Sequence, residues 1–298
     1  MSKRIIALFL CLLLSLCAVI AQAEEPITVT DMFGREITLQ KTPQRVVVLT
    51  ASDCEILCAL GCEDKLVARG SFCDYPASVL ALPAVRSGYE TNLEEILALE
   101  PDVVFMSGMD QSKEQVELLE SSGVKVVVSY AQSVEGTYEA IRMIGRAMGC
   151  DARAEALVSD MQATFADIAQ RSKASGESIY FEVSPLQWGL WTTGRGTFMH
   201  ELAEMCGLTN AFGDLDGWGA VSEEQVLERD PDYIVSIAGM GETAVEEIKT
   251  RPGWAEVSAV AAGRVFNADS NAISRPGPRL KDAALELFGF IGGETPVN

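Results

Sequence analysis

Asn92-Leu-Glu-Glu-Ile-Leu-Ala-Leu-Glu-Pro-Asp-Val-Val104 returns further along the chain as Ser222-Glu-Glu-Gln-Val-Leu-Glu-Arg-Asp-Pro-Asp-Tyr-Ile234. Aligning Pro101 with Pro231 places Glu94 on Glu224, Leu97 on Leu227 and Asp102 on Asp232. Each copy opens with a capping box. Asn92 or Ser222 accepts from the free amides of a first helical turn, and Glu95 or Gln225, three residues on, reaches back. A short helix, a Pro-Asp break and a β-branched strand follow in both. The offset of 130 residues (231 − 101) is too long for a solenoid repeat. It suits one α/β lobe used twice, with a site between the lobes and Glu94 and Glu224 at equivalent places.

Outward from the first copy, Asp31 to Leu39 reads as a hairpin turning at Gly34, and Arg45-Val-Val-Val-Leu-Thr50 as a strand buried on both faces. A helix ending at Leu60-Gly61, a strand Leu66 to Gly70, a strand Val103 to Met106, a helix Lys113 to Ser121 and a strand Val124 to Val128 complete the alternation. It predicts a mostly parallel sheet with right-handed crossovers. Between Val134 and Lys173 no proline occurs, and apolar residues recur at helical spacing (Ile141, Ile144, Met148, then Leu157, Met161, Phe165, Ile168). Gly149 and Asp151 split this run into two helices, the second long and stiff enough to limit hinging between the lobes. The second lobe opens at Ile179-Tyr-Phe-Glu-Val, repeats the plan and places a helix at Phe198 to Met205. The expected division is a signal over residues 1–23, a first lobe over 24–145, a linking helix over 146–175 and a second lobe over 176–298.

The amino terminus reads as an export signal: Lys3 and Arg4, the apolar run Ile5 to Ile20, then Ala21-Gln22-Ala23 before Glu24-Glu25-Pro26. Leu14-Ser15-Leu16-Cys17 is loosely like a lipobox. Leu16 is large for the position before a lipidated cysteine, so cleavage after Ala23 is expected ahead of anchoring at Cys17. The chain is then placed outside the inner membrane, periplasmic or otherwise extracytoplasmic. Its formal charge of −20 becomes −22 once Lys3 and Arg4 are gone, so nucleic acid and anionic membrane surfaces are poor partners. Of eight cysteines, Cys11 and Cys17 lie in the signal. Cys54, Cys58 and Cys62 recur every four residues, on one helical face, and read as small buried apolar residues. Spacing leaves the disulfide pairing of Cys54, Cys58, Cys62, Cys73, Cys150 and Cys206 open.

Catalytic constellations are sparse, and no catalytic or metal-ligating residue is assigned. The single histidine, His200, sits early in an amphipathic helix and is read as exposed or capping; any triad or zinc site would rest on it alone. Aromatic residues instead gather in the connecting loops: Phe72 and Tyr75, Tyr89, Trp188 and Trp191, and Trp218. Loops at the carboxyl edge of an open α/β sheet face the ligand crevice, and large rings there suit a flat, partly apolar ligand. Any one ring can equally pack under its own loop. Arg275 and Arg279, in Ser274-Arg-Pro-Gly-Pro-Arg279, could meet a phosphate or carboxylate or cap the last helix.

Taken in order, Asp31-x-x-Gly-Arg, Pro43-x-Arg-Val-Val, Glu55-x-Leu-x-Ala-Leu-Gly61, Asn92-Leu-Glu-x-Ile with Pro101-Asp, Trp218 with Ser222-x-Glu-Gln-Val-Leu, and Ser274-Arg-Pro-x-Pro-Arg279 resemble the substrate-binding proteins of ABC importers for vitamin B12, haem and iron–siderophore complexes. The resemblance spans the mature chain. It implies an α/β fold of two Rossmann-like lobes with mostly parallel sheets, joined by one long helix, holding a ligand in the cleft between them with little closure. It implies no enzyme activity, and a monomer is expected. The family's docking glutamates fall on Glu94 and Glu224 and would pair with arginines of the permease, which works with its ATPase subunits. Tyr75, Trp218 and Arg275 match positions of the vitamin B12 branch, and cobalamin or another corrinoid is the implied ligand. With Tyr89, Trp188 and Trp191 they form the expected ligand-binding set. This chain departs in placing Cys73 before Asp74 and in having Tyr89, beside Gly88, where a tryptophan is the branch's habit. Haem, with Tyr75 or Tyr89 as axial ligand, or a ferric siderophore is the alternative. A more distant one is a metal-cluster oxidoreductase component using Cys54, Cys58, Cys62 and Cys73.

Overall fold

Val46, Val47 and Val48 have no exposed surface, the environment that an unbroken β-branched run demands. The computed structural model describes residues 25–292 apart from 89, 109–110 and 240–242. The export signal expected over 1–23, with its alternatives at Ala23 and Cys17, therefore lies outside the described residues, as does Tyr89. Among the described residues no helix is long and apolar enough to cross a membrane.

The three valines form β3 (Val46–Val48), the centre of a five-stranded parallel sheet. On one side lie β4 (Leu66–Gly70) and β5 (Ala84–Val85), on the other β6 (Val103–Ser107) and β7 (Lys125–Ser129). The preceding hairpin, β1 (Ile27–Thr30) with β2 (Glu36–Leu39), turns at Gly34, whose φ of +75° favours glycine. Helices α1 (Ala51–Ala59), α2 (Leu93–Ala98) and α3 (Lys113–Ser121) connect the strands.

The second lobe repeats the plan with four parallel strands in the order β10, β8, β12, β13: β8 (Ser178–Glu182), β10 (Thr209–Asn210), β12 (Tyr233–Ser236) and β13 (Val265–Asn267). A small antiparallel pair, β9 (Trp191–Thr193) with β11 (Trp218–Ala220), stands apart. Helices α6 (Phe198–Met205), α7 (Glu223–Arg229), α8 (Thr243–Lys249), α9 (Ser258–Ala261), α10 (Ser270–Ser274) and α11 (Leu280–Ile291) complete it.

The repeat extends into the backbone. Glu100 (φ 46°) and Asp230 (φ 42°) are the two non-glycine residues with positive φ among the described residues, and they hold equivalent positions after α2 and α7. Two residues on, Asp102 accepts the amides of Gln44 and Arg45 before β3. Asp232 accepts the amide and hydroxyl of Ser178 at the start of β8. Each Pro-Asp thus ties the end of a short helix to the first strand of its own sheet, a local device that the pattern alone did not disclose.

Between the lobes run α4 (Val134–Ala147) and the long α5 (Asp151–Arg171). The linking segment expected over 146–175 takes in the last two residues of α4, Arg146 and Ala147, and then the helix Asp151–Arg171. Gly149 turns left-handed (φ 63°), and Ser172 is already extended (ψ 145°). Ala154, Val158, Met161, Phe165 and Ile168 bury one stripe of α5. The helix packs on α4 of the first lobe and on α6 and α11 of the second.

Candidate functional site

In the first sheet the chain leaves β3 toward β4 and β5, then returns to the other side with β6 and β7. Strand order therefore reverses between β3 and β6, the place where an open α/β sheet leaves a crevice beyond its carboxyl ends. The second lobe reverses in the same way between β8 and β12. A cavity of about 270 Å³ lies at the first reversal, lined by Leu49 and Thr50 after β3, Ser52 and Asp53 of α1, Ser107 and Ser129 ending β6 and β7, and Phe72; Ser274, Arg275 and Pro276 close it from the second lobe. Its floor is hydroxylic. Asp53, buried in the first turn of α1, accepts the Ser129 hydroxyl at 2.9 Å. In the second lobe Glu182 ends β8 but is buried and gripped by the Arg251 fork at 2.7 and 2.8 Å, so it is not presented to the cleft.

Large rings stand exposed in the loops leaving these edges. Phe72 is 71 % exposed, Trp188 75 %, and Tyr75 and Trp191 are close to half exposed. Trp188 ends the turn Leu186–Trp188 and Trp191 begins β9, with Leu190 between them buried as an anchor. Trp218, half-buried, begins β11. Its indole N–H donates to Gln132 Oε1 of the first lobe at 3.2 Å, and its ring meets Phe198 edge-on at 5.9 Å. The Phe198 amide donates to Gln132 O at 2.7 Å, and the Val134 amide to Glu201 Oε2 at 2.6 Å. Trp218 thus sits in a polar contact across the lobes, outside the lining of the cavity.

Arg275 lines the cavity and is also bonded to the first lobe. Its Nη1 meets Asp74 Oδ1 at 2.6 Å and Glu55 Oε1 at 3.0 Å. Arg279 grips Glu55 in a fork, at 2.9 and 2.7 Å, and reaches Asp269 at 3.3 Å. Its guanidinium also lies 4.2 Å over the Tyr75 ring. Glu55, with only 2 % of its side chain exposed, comes from α1, and the arginines come from the second lobe. The cluster therefore bridges the lobes, and Asn271 adds a bond to Asp74. The Arg275 hydrogen bond holds the Asp74 carboxyl below its ordinary range, and both arginines are held up by the carboxylates they bond. Two guanidinium groups are met by three carboxylates of the same chain, so the cleft mouth presents no excess positive charge.

Glu94 and Glu224 are both exposed, second in α2 and α7. A crossover helix runs back against its strands, so both helix starts lie at the carboxyl edges that carry the cleft. From Leu93 to Glu100 and from Glu223 to Asp230 burial alternates in the same order, residue for residue. The capping boxes differ. Ser222 and Gln225 exchange both bonds, whereas the Asn92 amide donates to Arg86 O, leaving Glu95 nothing to reach back to. Asn92 still accepts from the Glu95 amide.

His200 is neither exposed nor a cap: its side chain is 15 % exposed and Nε2 lies 3.4 Å from Glu204. Cys54 and Cys62 are buried as expected, and Cys58 is half-buried. Among the described residues no group of three or more His, Cys, Asp or Glu is placed to hold a metal ion. Sequence reasoning passed over Glu55, Asp74 and Gln132 as interlobe partners. It also passed over the hydroxyls at Thr50, Ser107 and Ser129, although each ends an otherwise apolar strand run and the rule was visible.

The arrangement agrees with comparison to known proteins. The family model for periplasmic binding proteins matches residues 46–272. The chain is 35 % identical over 277 residues to the uncharacterized ABC transporter substrate-binding lipoprotein YvrC of Bacillus subtilis, covering 91 % of this chain and 87 % of that one. It is 28 % identical over 282 residues to a cobalamin-binding protein of Halobacterium salinarum, with coverages of 91 % and 75 %. A solved periplasmic heme binding protein from Pseudomonas aeruginosa superposes with a TM-score of 0.76 at 27 % identity, over 86 % of this chain and 95 % of that one. Two α/β lobes, a cleft at matched strand-order reversals and a family match over most of the chain lead to one conclusion: this chain belongs to the periplasmic binding protein family, the substrate-binding components of ABC importers.

Proposed function

We propose that this protein captures a corrinoid, cobalamin or cobinamide, in the interlobe cleft and delivers it to an ABC importer, docking on the permease through Glu94 and Glu224. The observation that carries the ligand class is the neutralised arginine pair beside exposed rings. Arg275 and Arg279 are bonded to Glu55, Asp74 and Asp269, so an anionic siderophore or the propionates of haem find no uncommitted guanidinium there. A corrin, fringed with neutral amides, needs ring area and hydrogen bonds instead: the cavity has a hydroxyl-lined floor with Phe72 in its wall, and Tyr75, Trp188, Trp191 and Trp218, which do not line it, are the rings that would extend the site from the loops. The cobalamin-binding relative supports this reading. The heme-binding neighbour keeps haem as the second ligand to test, with the exposed Tyr75 as its axial ligand.

Calorimetric titration with cobalamin, cobinamide, haemin and a ferric siderophore decides among them. Corrinoid binding with the others weak is the expected result, and tighter haemin binding would overturn it. Trp218→Ala should cost about 2 kcal/mol, roughly thirtyfold in affinity, as for the loss of one good aromatic anchor. Undiminished corrinoid affinity in that variant would place the ligand elsewhere.

The lobes are joined by α5 and by polar contacts between them, among them Glu55 with its arginines, Gln132 with Trp218 and Glu201 with the Val134 amide. Ligand should therefore leave the radius of gyration in small-angle scattering almost unchanged, unlike hinge-closing binding proteins. A clear fall on binding would refute this rigidity.

A further inference from the structure

Cys62 and Cys150 stand 88 positions apart in the chain, yet their sulfurs lie 3.9 Å from each other. Both are nearly buried, at 4 % and 6 % exposure. Cys62 follows the end of α1 and Cys150 is the residue from which α5 starts, both with non-helical backbone (φ −107°, ψ 13° and φ −127°, ψ 38°). We propose that this pair is a modification site: a dithiol that a disulfide carrier oxidises to an intramolecular disulfide, pinning the first lobe to the start of the interlobe helix.

The sulfurs must approach by about 2 Å to reach covalent length. Two helix-end residues supply that by side-chain rotation and small backbone adjustment, which residues inside a helix could not. The chemistry is asymmetric. The Cys150 thiol is drawn down by the hydrogen bond with Cys62 and by the Arg153 guanidinium. The start of a 21-residue helix favours a thiolate in the same sense. Arg153 is held over the pair by a bond to Gly61 O at 3.4 Å. By contrast, burial alone raises Cys206 to about 12. Cys150 is therefore the attacking group. Its thiolate bonds to one sulfur of the carrier's disulfide and expels the other as a thiolate. Cys62 gives its proton to solvent and attacks Cys150 Sγ, releasing the carrier's second thiolate. Two electrons pass from the two cysteines to the carrier, which leaves as a dithiol.

The test uses the full chain, purified reduced, exposed to oxidised glutathione and then alkylated. Non-reducing peptide mapping should find a linkage joining the peptides that hold Cys62 and Cys150, within one chain. Closing so long a loop should raise the melting temperature by about 5–10 °C, and dithiothreitol should reverse both changes. Cys62→Ser and Cys150→Ser should each lose the linkage and the rise. Cys150→Ala serves if the serine is poorly tolerated, with reduced parent protein as the baseline. The proposal fails if both sulfurs remain alkylatable after oxidation, if the linkage joins other cysteines or two chains, or if the rise persists in either variant.

Discussion

Replacing Glu94 and Glu224 together by alanine is expected to abolish ligand-stimulated ATP hydrolysis by the cognate importer in liposomes, while fold and ligand affinity stay close to those of the parent. Each carboxylate stands exposed at the second position of a short helix, at the cleft-bearing edge of its lobe. Neither is drawn into an ion pair among the described residues. The Ser222 hydroxyl and the free amides of the first turn hold the Glu224 carboxyl below its ordinary range, so it is ionised whenever a partner arrives. A helix start accounts for an acid in the first turn. It does not account for the identical burial sequence around both, the paired left-handed residues Glu100 and Asp230, or the paired ties through Asp102 and Asp232. That duplication fixes two carboxylates in matching frames, one per lobe, which suits two arginine-bearing halves of a permease engaged at once. Single variants should each reduce stimulation, and full stimulation by the double variant would leave the glutamates as helix caps only.

The frame of this molecule was readable because its signals are local and repeated. Unbroken valine runs require strands buried on both faces, and β4, α3 and α6 fall where composition places them. What stayed hidden involves partners far apart in the chain. Arg275 lines the cavity, in a short, proline-bounded, cationic loop, but its bonded partners Glu55 and Asp74 stand more than 200 positions earlier, and no periodicity links them. Gln132 and Trp218 are a similar case. Cys62 and Cys150 are another, since Cys62 shares its four-residue spacing with Cys54 and Cys58 but finds its sulfur neighbour on another helix. The half-made capping box at Asn92 failed for a related reason: an upstream carbonyl, Arg86 O, had already taken the amide.

Glu55→Ala should be the most damaging single change at the cleft, lowering the unfolding free energy by about 3 kcal/mol. Glu55 is a buried carboxylate that accepts from two guanidinium groups of the other lobe, each 13 % exposed. Removing it leaves those cations half-buried and undercompensated, with Arg275 holding Asp74 and Arg279 only the longer contact to Asp269. Glu55→Gln keeps the volume and one acceptor, so it should cost less, and the two variants compared by urea denaturation separate charge from packing. The same change removes the net negative charge of the cleft mouth. Two arginines facing three carboxylates become two facing two, and Arg279 is left without its fork. Affinity for an anionic ligand such as haemin should then rise by about tenfold, equivalent to 1.4 kcal/mol, while affinity for a neutral corrinoid does not improve. An unchanged denaturation midpoint would show that the ion cluster does not hold the lobes together. Unchanged haemin affinity would show that it is the shape of the ring-lined cleft, and not the neutralisation of Arg275 and Arg279, that selects the ligand.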